Sequence, residues 1–185
     1  MSIHTVKDIN NLNDPIKQFL VDFVIDIPTQ CFPNGFAQQL ELRAQSFSFP
    51  TIQMDATEVW WGGHNRQFAG KQTRHGDWNV TFTEVWSGDV IDGFKKWMNL
   101  AHNFTGGTVA THEIYMKSAV VNLMNPSLYT PGSEGSAGLA KQVTLKYLYP
   151  TQVQVDGSIN PSSSDPVNMG CTFHYSYFLI GDEKE

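Results

Sequence analysis

Nucleophilic catalysis is the first chemistry to test in a chain of 185 residues that carries 15 glycines. It needs a serine or cysteine held on a sharp turn beside a base, and no Gly-x-Ser-x-Gly elbow occurs. The run Gly132-Ser-Glu-Gly-Ser-Ala-Gly138 has the residue types without the spacing, and its composition is that of a flexible loop. Phe68-Ala-Gly-Lys71 has a glycine and a lysine but neither the glycine spacing nor the following hydroxyl of a phosphate-binding loop. Metal binding needs ligands at spacings that converge on one ion. His4, His64, His75, His102, His112 and His174 do not pair with one another at helical or hairpin spacing, and His112-Glu113 lacks the second histidine of a zinc-protease helix. Asp22, Asp26, Glu58, Glu84 and Glu113 could serve acid–base chemistry only if folding paired them; solvent-facing carboxylates are the simpler reading. The expectation is a protein without catalytic residues, metal or cofactor.

Composition directs attention to surfaces. Charged residues make up 16% of the chain, against roughly 25% in an ordinary soluble domain. The exterior must therefore present amides, hydroxyls and apolar patches, and contiguous patches of that kind mark places where another protein sits. The net charge of −6, with no run of like charges, disfavours tight binding to nucleic acid. Cys31 and Cys171 stand far apart without metal spacing and read as two buried thiols. Residues 1–15 form a polar N-terminal arm with no signal-peptide pattern, and no apolar run is long enough to span a bilayer.

The elements that would build such surfaces are mostly strands. Phe19, Val21, Phe23, Ile25 and Ile27 alternate with polar or outward residues until Pro28. A second strand is expected from Gln39, with Leu40, Leu42 and Ala44 on one side, and then Phe47 and Phe49 on the other after a bulge or bend before Pro50. Residues 50–76 read as a protruding hairpin around Gly62-Gly63. Trp60 and Trp61 are adjacent there, so a strand must send them to opposite faces; a partner surface explains this better than one core and one stray aromatic. Trp78, Val80 and Phe82 point inward from Asp77–Thr83. Residues 87–103 read as an amphipathic helix with Ser87 as N-cap and a packing stripe that includes Ile91, Phe94, Trp97 and Met98. Lys117 to Met124, Val143 to Val155, in which Val143, Leu145, Tyr147 and Tyr149 alternate up to Pro150, and Met169 to Ile180 complete the strands, with polar loops at 125–138 and 158–165. In the last strand Cys171, Phe173, Tyr175, Tyr177 and Leu179 would share one face. The whole reads as a single domain, mainly β: an antiparallel β-sandwich or small β-barrel with one flanking amphipathic α-helix and a protruding β-hairpin arm.

Four segments in order, Arg43-Ala-Gln-Ser-Phe-Ser-Phe-Pro50, Phe68-Ala-Gly-Lys71, Asp77-Trp-Asn-Val-Thr-Phe82 and Phe94-Lys-Lys-Trp-Met-Asn99, resemble the tail tube proteins of contractile-tailed bacteriophages. The resemblance spans about Phe19 to Ile180. It implies a virion subunit, assembled in the host cytoplasm, whose copies close into homohexameric rings that stack as the inner tube of the tail. It implies a lumen through which DNA passes without specific binding, and tail sheath, baseplate and tail terminator proteins as partners. It places the assembly contacts on the hairpin arm, with Trp60, Trp61, Arg66, Phe68, Lys71 and Arg74 as the residues that carry them. Tandem tryptophans, paired glycines at the tip and the long segment after Asn125 depart from the family's usual form. The ring protein of a tailocin or contractile secretion system shares the architecture. A monomeric β-barrel binding module, with Phe173, Tyr175 and Tyr177 lining a small-molecule pocket, is the reading from another class.

Overall fold

The computed structural model describes residues 21–84, 87–124, 139–156, 162 and 166–181. The N-terminal arm (1–15), the loop at 125–138 and most of the loop at 158–165 lie outside them. The described elements are β1 (Val21–Ile25), α1 (Phe36–Arg43), β2 (Ala44–Phe47), β3 (Gln53–Trp61), β4 (His64–Thr73), β5 (Gly76–Thr83), α2 (Asp89–Ala101), α3 (His112–Tyr115), β6 (Lys117–Met124), β7 (Leu139–Asp156), β8 (Asn168–Tyr175) and β9 (Tyr177–Ile180). The fold is mainly β, as expected. Among the described residues seven strands form one antiparallel sheet in the order β1-β6-β7-β8-β5-β2, with β9 also on β7, while β3 and β4 pair only with each other.

The main sheet curls on itself. Phe23 of β1, at one end of the strand order, lies 5.1 Å from Phe47 of β2 at the other end and 5.4 Å from Trp78 of β5. Alternation drives this closure: Phe23, Ile25, Trp78, Val80, Phe82, Val121, Val143 and Leu145 are all buried on the inner side. Helix α2 plugs the open end, with Phe94 5.5 Å from both Phe82 and Phe173, and Trp97 6.0 Å from Phe173. Phe94 and Trp97 are fully buried and Met98 partly so, whereas Ile91, 39% exposed, lies at the margin of the stripe. Trp97 Nε1 donates to the Tyr115 carbonyl at 2.7 Å, which satisfies the indole in the core.

Three local expectations are corrected. Residues Gln39 to Arg43 are helical and not extended. The Pro33-Asn34-Gly35 turn, with Gly35 at φ 79°, starts α1, and Phe36 and Leu40, one helical turn apart, are buried while Leu42 is 86% exposed. The Leu40/Leu42 alternation was coincidental in a segment of strong helix formers. The bulge itself occurs, between Ala44 and Ser46. Helix α2 is not capped by Ser87, whose hydroxyl donates to Asp89. The Glu84 carboxylate instead accepts from the Val90 and Ile91 amides at 3.3 and 2.9 Å, and Gly88 takes the N-cap position.

The third correction concerns the faces of the long strands. On β7 the buried residues run Val143, Leu145, then Leu148 and Pro150, so Tyr147 points outward. Its φ of 55° marks a bulge: Lys146 and Tyr147 together oppose the single residue Ser118 of β6. Ser176 breaks the opposite strand at the same level, donating its amide to the Lys146 carbonyl at 3.1 Å. Hence Tyr175 is buried and Tyr177 is not, and Phe178 takes the inward position. Tyr147 and Tyr177 meet on the outside at 5.7 Å.

Candidate assembly surface

The hairpin arm is a two-stranded ribbon with almost every residue exposed. Its tip is a two-residue turn in which Gly62 and Gly63 both adopt positive φ, 57° and 81°, the conformation that matches strand twist and that glycine adopts without cost. The turn fixes the register: Trp61 opposite His64, Trp60 opposite Asn65, Val59 opposite Arg66, Glu58 opposite Gln67 and Thr57 opposite Phe68. Period-two alternation then sorts the arm into two faces. Val59, Trp61, His64, Arg66 and Phe68 share one, where they line a common hollow. Ala56, Glu58, Trp60, Asn65, Gln67 and Ala69 share the other, where Gln67 Nε2 donates to Glu58 Oε1 at 3.0 Å.

Trp60 is 68% exposed, Trp61 83% and Phe68 54%. Neither tryptophan enters the core, so the alternative of one buried and one stray aromatic does not hold. A lone hairpin is marginally stable in water, and its exposed Val59, Trp60, Trp61 and Phe68 call for a surface to cover them.

The arm's root is anchored to the core. Trp78 Nε1 donates to the Ser48 carbonyl at 2.8 Å, the Ser48 amide donates to the Asn79 carbonyl at 2.9 Å, and a backbone hydrogen bond links Thr51 to the Tyr175 phenol. Burial pushes that phenol's pKa up, so it stays neutral. Arg74 lies past the end of β4, with its guanidinium 5.9 Å over the Phe178 ring. Of the six arm residues singled out in the sequence, Trp61, Arg66 and Phe68 converge on one face. Trp60 lies on the other, Lys71 stands at the bulge opposite Asp55 near the root, and Arg74 belongs to the body. Sequence reasoning missed Val59 and His64 as members of the first face and Glu58 as the charged member of the second. The glycine turn and parity together carry that signal.

Two further surfaces suit contact or passage. Strands β1 and β2 end the strand order, each with one edge that pairs with no other strand among the described residues. The outer face of β5, β8 and the end of β7 carries a network of amide and hydroxyl side chains: Thr172 Oγ1 donates to Asn79 Oδ1 at 2.8 Å and Gln152 Nε2 to Gln154 Oε1 at 2.7 Å. On the same face His174 Nδ1 lies 3.0 Å from Asp77 Oδ1.

The pocket expected around Phe173, Tyr175 and Tyr177 does not form. Phe173 and Tyr175 are packed in the core and Tyr177 is on the opposite side of the break at Ser176. Among the described residues no cluster of three or more His, Cys, Asp or Glu is placed to hold a metal ion. Cys171 is buried, with its thiol pKa raised by desolvation, and is chemically quiet.

No protein-family model matches the sequence, and no curated protein does. Solved structures do match. A chain of the sheath–tube complex of PVC, an extracellular contractile injection system, in its extended state is 14% identical, with a TM-score of 0.59 over 96% of this chain and 98% of that one. A chain of the anti-feeding prophage cap, a tube-terminating cap, is 15% identical, with a TM-score of 0.60 over 91% and 92%. The SPP1 tail tube is 12% identical, with a TM-score of 0.50 over 92% and 81%. This chain thus shares its overall fold with the matched chains of the PVC sheath–tube complex, the anti-feeding prophage cap and the SPP1 tail tube.

Proposed function

We propose that this chain is a structural subunit, without catalytic activity, whose copies assemble into hexameric rings stacked as the inner tube of a contractile tail. The observation that carries this reading is the arm: a ribbon anchored at its root with Trp60, Trp61 and Phe68 exposed on it, on a fold shared with tube proteins. Ring closure covers the edges of β1 and β2 that no described strand pairs, the usual remedy for exposed strand edges. The face of β5 and β8, free of lysine and arginine among its described residues, becomes the wall of the channel. Such a wall, on a subunit of net charge −6, gives a phosphate backbone nothing to adhere to, so DNA passes during ejection. Sheath, baseplate and tube terminator are its partners and the tail of a virion its location. The similar chains from PVC and the anti-feeding prophage favour a second reading with the same architecture, the inner tube of a contractile injection system.

Negative-stain electron microscopy of the purified chain over a concentration series, with light scattering, tests this. Hollow rings or tubes of uniform diameter are expected. Monomers that persist even with an initiating baseplate complex would overturn it.

A further inference from the structure

The two faces of the arm differ in charge and bulk in a way that makes the arm complementary to itself. One face presents Arg66 with His64 and no acid in the stretch from Thr57 to Phe68; the other presents Glu58 and no base. These charges sit one residue apart along the ribbon, since Val59 pairs with Arg66 and Glu58 with Gln67. Each face carries one tryptophan at the tip, Trp61 on the first and Trp60 on the second. Nearer the root the bulky Phe68 of the first face, which pairs with Thr57, sits one residue from the small pair Ala56 and Ala69 of the second. Two such ribbons laid face to face in parallel, at the ~10 Å spacing of stacked sheets, bring Trp61 of one onto Trp60 of the next. The same register brings Arg66 to Glu58 and Phe68 to the alanines. Glu58 Oε1 is taken by Gln67, which leaves Oε2 for the guanidinium.

We infer that the arms of neighbouring copies stack on one another, the Trp61/Arg66 face of each against the Trp60/Glu58 face of the next. The occupant of each face is therefore a second copy of this chain. The contact is heterologous, with different faces meeting, and a heterologous contact repeated by rotation closes into a ring. It also covers both tryptophans of every copy, which docking on a single flat neighbour would not. This inference rests on the tube reading and adds to it which surfaces meet.

Charge exchange tests the pairing. Glu58→Arg gives an arm basic on both faces and Arg66→Glu one acidic on both. Each alone should raise the concentration needed for assembly about tenfold or more, because like charges then face each other at every contact. The double variant E58R/R66E has its charges exchanged between faces and should assemble near the wild-type concentration. An equimolar mixture of the two single variants should also assemble, with both chains present in each ring in equal amounts by mass spectrometry. Unchanged thermal unfolding of each single variant establishes that the body is folded, and both positions are exposed. Wild-type assembly with both single variants unaffected overturns arm stacking and leaves the tube reading standing. Blocked single variants without rescue in the double variant or the mixture also overturn it, and place the arm on a neighbour's body. A wild type that never assembles sinks both.

Discussion

Gly93 is a helix-interior glycine that a sequence reading passes over, yet the core requires it. A Cβ at that position would lie 2.0 Å from the Phe32 ring, whose neighbours Phe36, Phe94 and Trp97 are at 5.2, 5.3 and 6.3 Å. Gly93→Ala should therefore destabilise the subunit by about 1–3 kcal/mol despite alanine's better helix propensity. A thermal melt shows this as a lower midpoint, and an unchanged or raised midpoint would mean that Phe32 has room to move. Trp97→Ala should cost about 3–5 kcal/mol, a large share of a typical domain's stability, since it leaves a cavity against Phe173 and the Tyr115 carbonyl unpaired. Denaturant unfolding with wild-type stability would contradict that packing. Trp97 was legible as a core residue from the apolar stripe alone. Gly93 was not, because its role comes from Phe32, far away in sequence.

At the scale of elements, the arm and the sheet differ in what holds them. Strand β5 is held by neighbours on both sides, β8 and β2, whereas among the described residues β3 and β4 hold only each other. Replacing both Trp60 and Trp61 with Ser should leave the monomer's circular dichroism and melting midpoint within error of wild type, while assembly measured by light scattering is lost. A variant that fails to fold would mean that the arm contributes to the body's core. The hairpin's limits and its tip were legible because a Gly-Gly turn between two short extended runs is a local signal. Helix α1 was misread because a segment of eight residues with apolar Leu40 and Leu42 satisfies strand and helix templates equally, and only burial of Phe36 with Leu40 separates them. The cap of α2 escaped notice because Glu84 acts from the strand side of the turn, outside the usual N-cap position.

For the whole molecule, assembly should change protection from solvent in a specific pattern. Amide hydrogen exchange on free subunits should show fast exchange in β3, β4 and the unpaired edges of β1 and β2, and slow exchange in β5, β8 and α2. In assembled particles the first group should slow by orders of magnitude while the second changes little. Exchange in the arm that stays fast after assembly would remove it from the interface. What the amino-acid sequence determined by itself is what short-range periodicity can encode: mainly β content, the hairpin and its turn, the inward set Trp78, Val80 and Phe82, and the stripe of α2. What only the tertiary structure decided is where those periods slip. Tyr147 and Ser176 flip the faces of β7 and β9 together, because a bulge is defined by the strand opposite and not by its own residues. The same holds for the two tryptophans: alternation separates them onto opposite faces, but that both faces are exposed follows from the arm pairing with no other strand among the described residues.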